Sequence, residues 1–386
     1  MDKKIFIAIG LSMVILLVGT FGLMFVAVNV FDIDIPIIVQ IQEYLVGPSE
    51  TVEMPVGVEG MEQQYIVENF IDYRARGGEF DLPVRGATGW VARSSPPLQV
   101  GQVFTILDHA GNTFRVITPE EVVVDINQDH IFINLPDILP SIIYDVTNAY
   151  SSMMRTSGFF VENVTGQQLY SAHSFNERLG REEFIVPILF NTARLVSIAQ
   201  QIALENGDTL VMIEAYRPRP TQRKIVDNLN ATLDLHPGAR SAIDDSPWTV
   251  GWFISQNISN HQRGAAVDVS LARVNSAFFA TAGEYRHLSI SSYNTYAMNS
   301  HMHDLSPVAS ITVNPTSLSN VAWRNATLRP DITEGALRLH NIMLDAGFTP
   351  LASEWWHFDD STGSQIARNN GIAGYFFTES VYSVAP

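Results

Sequence analysis

His261 and Asp268 stand seven positions apart in "SNHQRGAAVDVSLARV" (Ser259–Val274), a stretch otherwise made largely of small and apolar residues. Alone, such a pair is most often a hydrogen-bonded structural contact. A second segment changes its weight. In "EWWHF", Glu354 precedes His357 by three residues, again among apolar neighbours, where ionisable groups are costly unless something pairs with them. A divalent cation would do so. Two imidazoles and one carboxylate, from His261, Asp268 and His357, make a three-ligand set with a fourth position left for water, the form of a catalytic site holding one zinc ion. Cysteine is absent, so thiolate zinc sites, disulfides and a cysteine nucleophile are excluded. Glu354 is then the candidate general base, able to take a proton from a zinc-activated water and hand it to a leaving amine. The spacing is not that of H-E-x-x-H, where both ligands share a helix face. In a regular strand Glu354 and His357 would point to opposite sides, so a local turn or bulge is expected at "EWWHF".

The elements that must hold these residues read as mixed. Leu195, Ile198, Ala199 and Ile202 lie at helical spacing before Gly207, predicting a helix over roughly Glu182–Asn206. The apolar run "DTLVMIEAY" predicts a strand leading to Arg217 and Pro218, followed by a second helical segment. Thr333 can cap a helix through "EGALRLHNIMLDAG", with Gly347 as its stop, and "FTPLASEWWHFDD" is aromatic and strand-like. The fold class expected is α+β, an antiparallel sheet with helices packed on it and holding the zinc site. Upstream, "QVFTILDHAGNTFRVI" predicts a hairpin around Asp108–Asn112, and "EEVVVDINQDHIFINLP" repeats the form with Asn127–Asp129 at the turn. His109 and His130 sit at these turns and are expected to do no chemistry.

Composition bounds the function. With 46% hydrophobic and 16% charged residues, the 386-residue chain can bury a substantial core. Its net charge of -17 repels phosphate backbones, so nucleic acid is excluded as a partner. From Ile5 to Phe31 no residue is charged, and a helix of that length exceeds the roughly 30 Å hydrocarbon core of a bilayer. Lys3 and Lys4 precede it and Asp32 and Asp34 follow. This pattern predicts a single-pass cell-membrane anchor with a cytoplasmic N-terminus and the rest of the chain extracytoplasmic, the alternative being a cleaved signal peptide. The domain division expected is a cytoplasmic N-terminus over 1–4, a transmembrane helix over 5–31 and a connector over 32–50. A small β-rich domain of unknown role, over 51–147, then precedes a catalytic domain over 148–386.

Taken together, Ser259-x-His261, Asp268, Glu354-Trp355-Trp356-His357 and the upstream "EAYRPRPTQ" resemble the D-alanyl-D-alanine dipeptidases, zinc peptidases related to the D,D-carboxypeptidases of bacterial cell walls. The resemblance runs from about Asn148 to the C-terminus in matching order, including "NVTGQQLY". It implies zinc on His261, Asp268 and His357, base catalysis by Glu354, a transition-state role for Arg217, and a contact from Ser259 to the substrate carboxylate. Arg217 also reads as a structural partner of an acid, and Ser259 as a turn cap. Where the family carries an acid that holds the substrate ammonium, this chain has "MNSHMHDLS", making Asp304 the candidate. His301 and His303 form an H-x-H pair beside it, read as part of a polar loop rather than as a second metal site. The expected protein is a membrane-anchored zinc dipeptidase acting on D-alanyl-D-alanine or a related small peptide. A D,D-carboxypeptidase trimming stem peptides is one alternative, and an inert wall-binding or sensor protein on the same fold is the other.

Overall fold

A computed structural model describes residues 82–145, 154–156, 159–161, 170–171, 173–244, 247–283, 285–316, 321–374 and 382–383. Strands Thr88–Val91 (β1), Val103–Ala110 (β2), Thr113–Ile117 (β3), Val123–Asn127 (β4), Ile131–Asn134 (β5) and Pro187–Leu189 (β6) form one antiparallel sheet in the order β6-β5-β1-β2-β3-β4. The β2–β3 hairpin turns at Gly111, whose φ of +58° suits a residue without a Cβ. The second expected hairpin does not form: among the described residues β4 pairs only with β3, whereas β5 crosses to lie between β1 and β6. All four residues of β5 are buried, so it needs an interior place, while β4 alternates exposed positions as an edge strand does.

The second sheet holds Asp208–Glu214 (β7), Ala266–Ala282 (β8), Tyr285–Thr295 (β9), Thr349–Pro350 (β10) and His357–Asp359 (β11), with the short strand Ile143–Tyr144 parallel to β7. β8 is its axis, pairing with β7, β9 and β11. The mixed α+β architecture agrees with the sequence pattern. Helix α1 is shorter than expected, Phe190–Glu205, because Arg181–Phe184 pairs with His173–Asn176 and Pro187–Leu189 becomes β6. Proline biases the residue before it away from helical backbone, and "FIVPIL" is rich in β-formers. The buried face of α1 is Ala193, Val196, Ala199 and Ala203, with Leu195, Ile198 and Ile202 packed at its margin. Thr333 caps Glu334–Asp345 (α3 in chain order, after Arg219–Leu235, α2), its hydroxyl accepting from the Ala336 N–H at 3.3 Å.

One apolar cluster joins the two sheets, running from Phe104 and Phe114 through Phe190 and Val196 to Met212, Val269 and Trp356. The β-rich segment therefore shares a core with the elements that follow it.

The expected single-pass membrane placement is corrected here. Among the described residues no helix is long and apolar enough to cross a membrane, and the span expected at 5–31 lies outside them.

Candidate metal centre

The site is built on β8. Asp268 pairs in register with Glu214 of β7 on one side and His357 of β11 on the other. Directly opposed residues on neighbouring strands project to the same face, so two carboxylates and an imidazole converge. Asp359, two residues beyond His357, shares that face.

His261 arrives from a single 3-10 turn, His261–Arg263, which Gly264 closes at φ +65°. Glu354 and His357 meet through a turn, as their spacing requires: the Glu354 N–H donates to the Leu351 carbonyl at 3.3 Å, and the His357 N–H to the Glu354 carbonyl at 3.4 Å. Trp355 and Trp356 anchor that turn in the core, 5.2 Å apart and edge to face.

Hydrogen bonds assign the histidine tautomers. Nδ1 of His261 lies 2.7 Å from the Ala215 carbonyl oxygen, which only accepts, so Nδ1 carries the proton and Nε2 presents a lone pair. Nε2 of His357 lies 3.2 Å from Asp359 Oδ1, which leaves Nδ1 facing inward. His261 Nε2 and His357 Nδ1 are 3.1 Å apart, and Asp268 Oδ1 lies 3.3 Å and 3.0 Å from them. A tetrahedral ion with bonds of about 2.0–2.1 Å has ligand edges of roughly 3.3 Å, so this donor set fits zinc in size and in chemistry.

The electrostatics divide the carboxyls. Burial would raise Asp268, but His261, with hydrogen bonds from His303 and His357, holds it well below its ordinary 3.8. Burial works against charge on His357, yet Asp359 and Asp268 outweigh it and keep its pKa well above 6.5. Glu354, buried with less compensation, is pushed up to about 8. Its Oε2 lies 3.9 Å from His357 Nδ1.

Arg217 is buried beside this set. Its Nε donates to Glu214 Oε2 at 3.0 Å, its Nη2 also pairs with Glu214, and its Nη1 donates to Gln222 Oε1 at 2.8 Å. Nη2 lies 3.4 Å from Asp268 Oδ2. Glu214, Asp268 and His303 also cluster, but both carboxylates of that group already pair with the Arg217 guanidinium, which supplies the positive charge there.

A pocket of about 630 Å³ opens over the site, walled by Trp252–Asn260. Arg217, Ser259, His261, Asp268, Glu354 and His357 all line it. Ser259 Oγ is buried there without a hydrogen-bond partner among the described residues. Asp304 does not line the pocket; its Oδ1 accepts from Ser306 Oγ at 2.6 Å. His303 lines it instead. Sequence reasoning left His303 in a polar loop and passed over Glu214 and Asp359. The signal for Glu214 was an acid closing a buried strand just before Arg217.

A family model for D-ala-D-ala dipeptidase matches residues 159–370, more than half of the chain. The chain belongs to the D-ala-D-ala dipeptidase family. That family is one of zinc-dependent peptidases, and the matched span contains β6 through α4 (Ser361–Asn369), and with them the His261, Asp268 and His357 cluster. No curated protein matches the chain.

Proposed function

We propose that the chain is a zinc D-alanyl-D-alanine dipeptidase, with His261, Asp268 and His357 holding one zinc ion and with catalysis assigned to residues 148–386. The observation that carries this is the triangle of donor atoms, 3.0–3.3 Å on each edge, with Glu354 beside it. Zinc, when bound, polarises a peptide carbonyl and lowers the pKa of water toward about 7.

Glu354 moves the proton, taking it at a carboxylate oxygen and delivering it to the departing amine. Its low-polarity surroundings, which favour the protonated form, suit the second half of that task. Arg217 faces the carbonyl oxygen as negative charge develops there. Glu214 and Gln222 fix its plane in advance, so little reorganisation is needed during reaction. Ser259 Oγ donates to the substrate carboxylate, and Asp304 receives the ammonium only if the "HMHD" segment re-orients.

A second reading is a D,D-carboxypeptidase acting on longer stem peptides. It is favoured by the pocket, whose size matches ligands well above a dipeptide. The test follows D-alanine release from D-Ala-D-Ala and from a stem pentapeptide, with the zinc-loaded chain and Glu354→Ala in parallel. Release from the dipeptide, lost in the variant, supports the first reading, and release from the pentapeptide alone supports the second. Bound zinc with no release from either refutes both.

A further inference from the structure

His303 is buried to 3% exposure, lines the pocket, and holds a left-handed backbone with φ +56°. A non-glycine residue keeps that conformation only where its surroundings fix it. Its ring sits edge-on to Trp356, with centroids 5.8 Å apart, and Trp356 belongs to the turn that carries Glu354 and His357.

Nε2 of His303 lies 3.1 Å from Oδ2 of Asp268. An ionised carboxylate only accepts, so the ring nitrogen donates. The same oxygen has Arg217 Nη2 at 3.4 Å, whereas Oδ1 is the oxygen that faces His261 and His357. The two oxygens of Asp268 therefore have separate partners.

We propose that His303 is a positioning residue that engages Oδ2 of Asp268 so that Oδ1 alone is offered to the metal. The inference rests on the zinc reading of the His261, Asp268 and His357 set. A carboxylate turned to offer both oxygens would fill the position a catalytic site keeps open. The bond from His303 holds the carboxylate plane against that rotation, and the wedge against Trp356 holds His303 in place.

The experiment uses the full chain, stripped of metal and reloaded with zinc or with cobalt(II). His303→Phe keeps a ring against Trp356 but removes the donor. His303→Asn suits left-handed backbone but is too short to reach Oδ2, and so guards against a Phe variant that fails to fold. His303→Gln supplies an amide N–H at about the reach of Nε2. Zinc affinity is read by competition with a chelating indicator, and coordination by the visible absorption of the cobalt form, which weakens as coordination rises above four. Phe and Asn are expected to bind zinc about 10- to 100-fold more weakly, with a weaker cobalt band, and Gln to recover both. Phe and Asn variants with wild-type affinity and spectrum overturn the inference alone. Failure of the wild-type chain to take up one equivalent of zinc overturns the zinc reading, and the inference falls with it.

Discussion

Replacing Glu354, the proposed general base, should stabilise the protein it inactivates. Burial raises Glu354 from an ordinary 4.5 to about 8, so between those values the metal-free folded chain binds a proton that the unfolded chain has released. Stability contributed at this position is therefore unimpaired below pH 4.5 and falls as pH rises toward 8. At about 1.4 kcal/mol per pH unit, the cost is about 3 kcal/mol at pH 7 and at most about 5 kcal/mol above pH 8. Glutamine keeps the shape and never ionises. Metal-free Glu354→Gln is expected to exceed wild type by less than about 1 kcal/mol at pH 5 and by about 4 kcal/mol at pH 7.5, as read from denaturant midpoints at constant slope. Zinc should narrow the gap, because a nearby cation favours the carboxylate. A stability difference that stays flat from pH 5 to 8 would refute the reasoning, since a packing change has no such dependence.

Arg217→Lys should retain zinc but lose about 10²–10³ in kcat, whereas Arg217→Ala should also cost about 3–5 kcal/mol in thermal unfolding by stranding buried Glu214. Zinc uptake at pH 7 should release protons, because His357, held well above 6.5, must give one up to offer a lone pair, and the cation also favours the carboxylate form of Glu354. Calorimetry in buffers of different ionisation enthalpy counts them, and zinc binding without proton release would contradict the site. Gly264→Ala should destabilise by about 2–4 kcal/mol and weaken zinc binding, since φ is +65° and the new carbon would lie 3.0 Å from the Leu189 nitrogen and against the Phe132 ring. A variant with an unchanged denaturant midpoint would show that the joint between β6 and the His261 turn can yield.

The legible parts were those in which chemistry and local pattern coincide. His357 and Glu354 stood out because charge was embedded among tryptophans, and their need for a turn followed from strand parity alone. The capped helix at Thr333 and the strand at Asp208 were equally local. Less legible was whatever depended on distant pairing. β6 is a three-residue strand whose partner, β5, lies more than fifty residues earlier, so "FIVPIL" reads as a helix start until that partner is known. β5 looked like half of a hairpin because only its neighbour in sequence was visible. Asp304 looked like the pocket acid from its place in a motif, yet His303, the left-handed residue before it, is the one that lines the pocket.

The division of labour among the acids belongs to this second kind. Glu214, Asp268, Glu354 and Asp359 are all buried, and nothing local to any of them states its charge. Asp268 is ionised because β-sheet register and two turns bring His261, His303 and His357 to it. Glu214 stays ionised because Arg217 closes on it from the strand's own end, and Asp359 because His357 and Asn260 donate to it. Glu354 lines the pocket with Asp268 and Asp359 and has the least compensation, so it alone of the four is driven to hold a proton near neutral pH. A one-residue slip of β11 against β8 would turn His357 and Asp359 to the opposite face and would strand Asp268 without its inward imidazole. Register thus fixes which carboxyl can bind a cation and which can carry a proton, and the tryptophan turn at Leu351–His357, tied to β8 by the Val269 N–H to the Trp356 carbonyl at 3.0 Å, holds that register at the site.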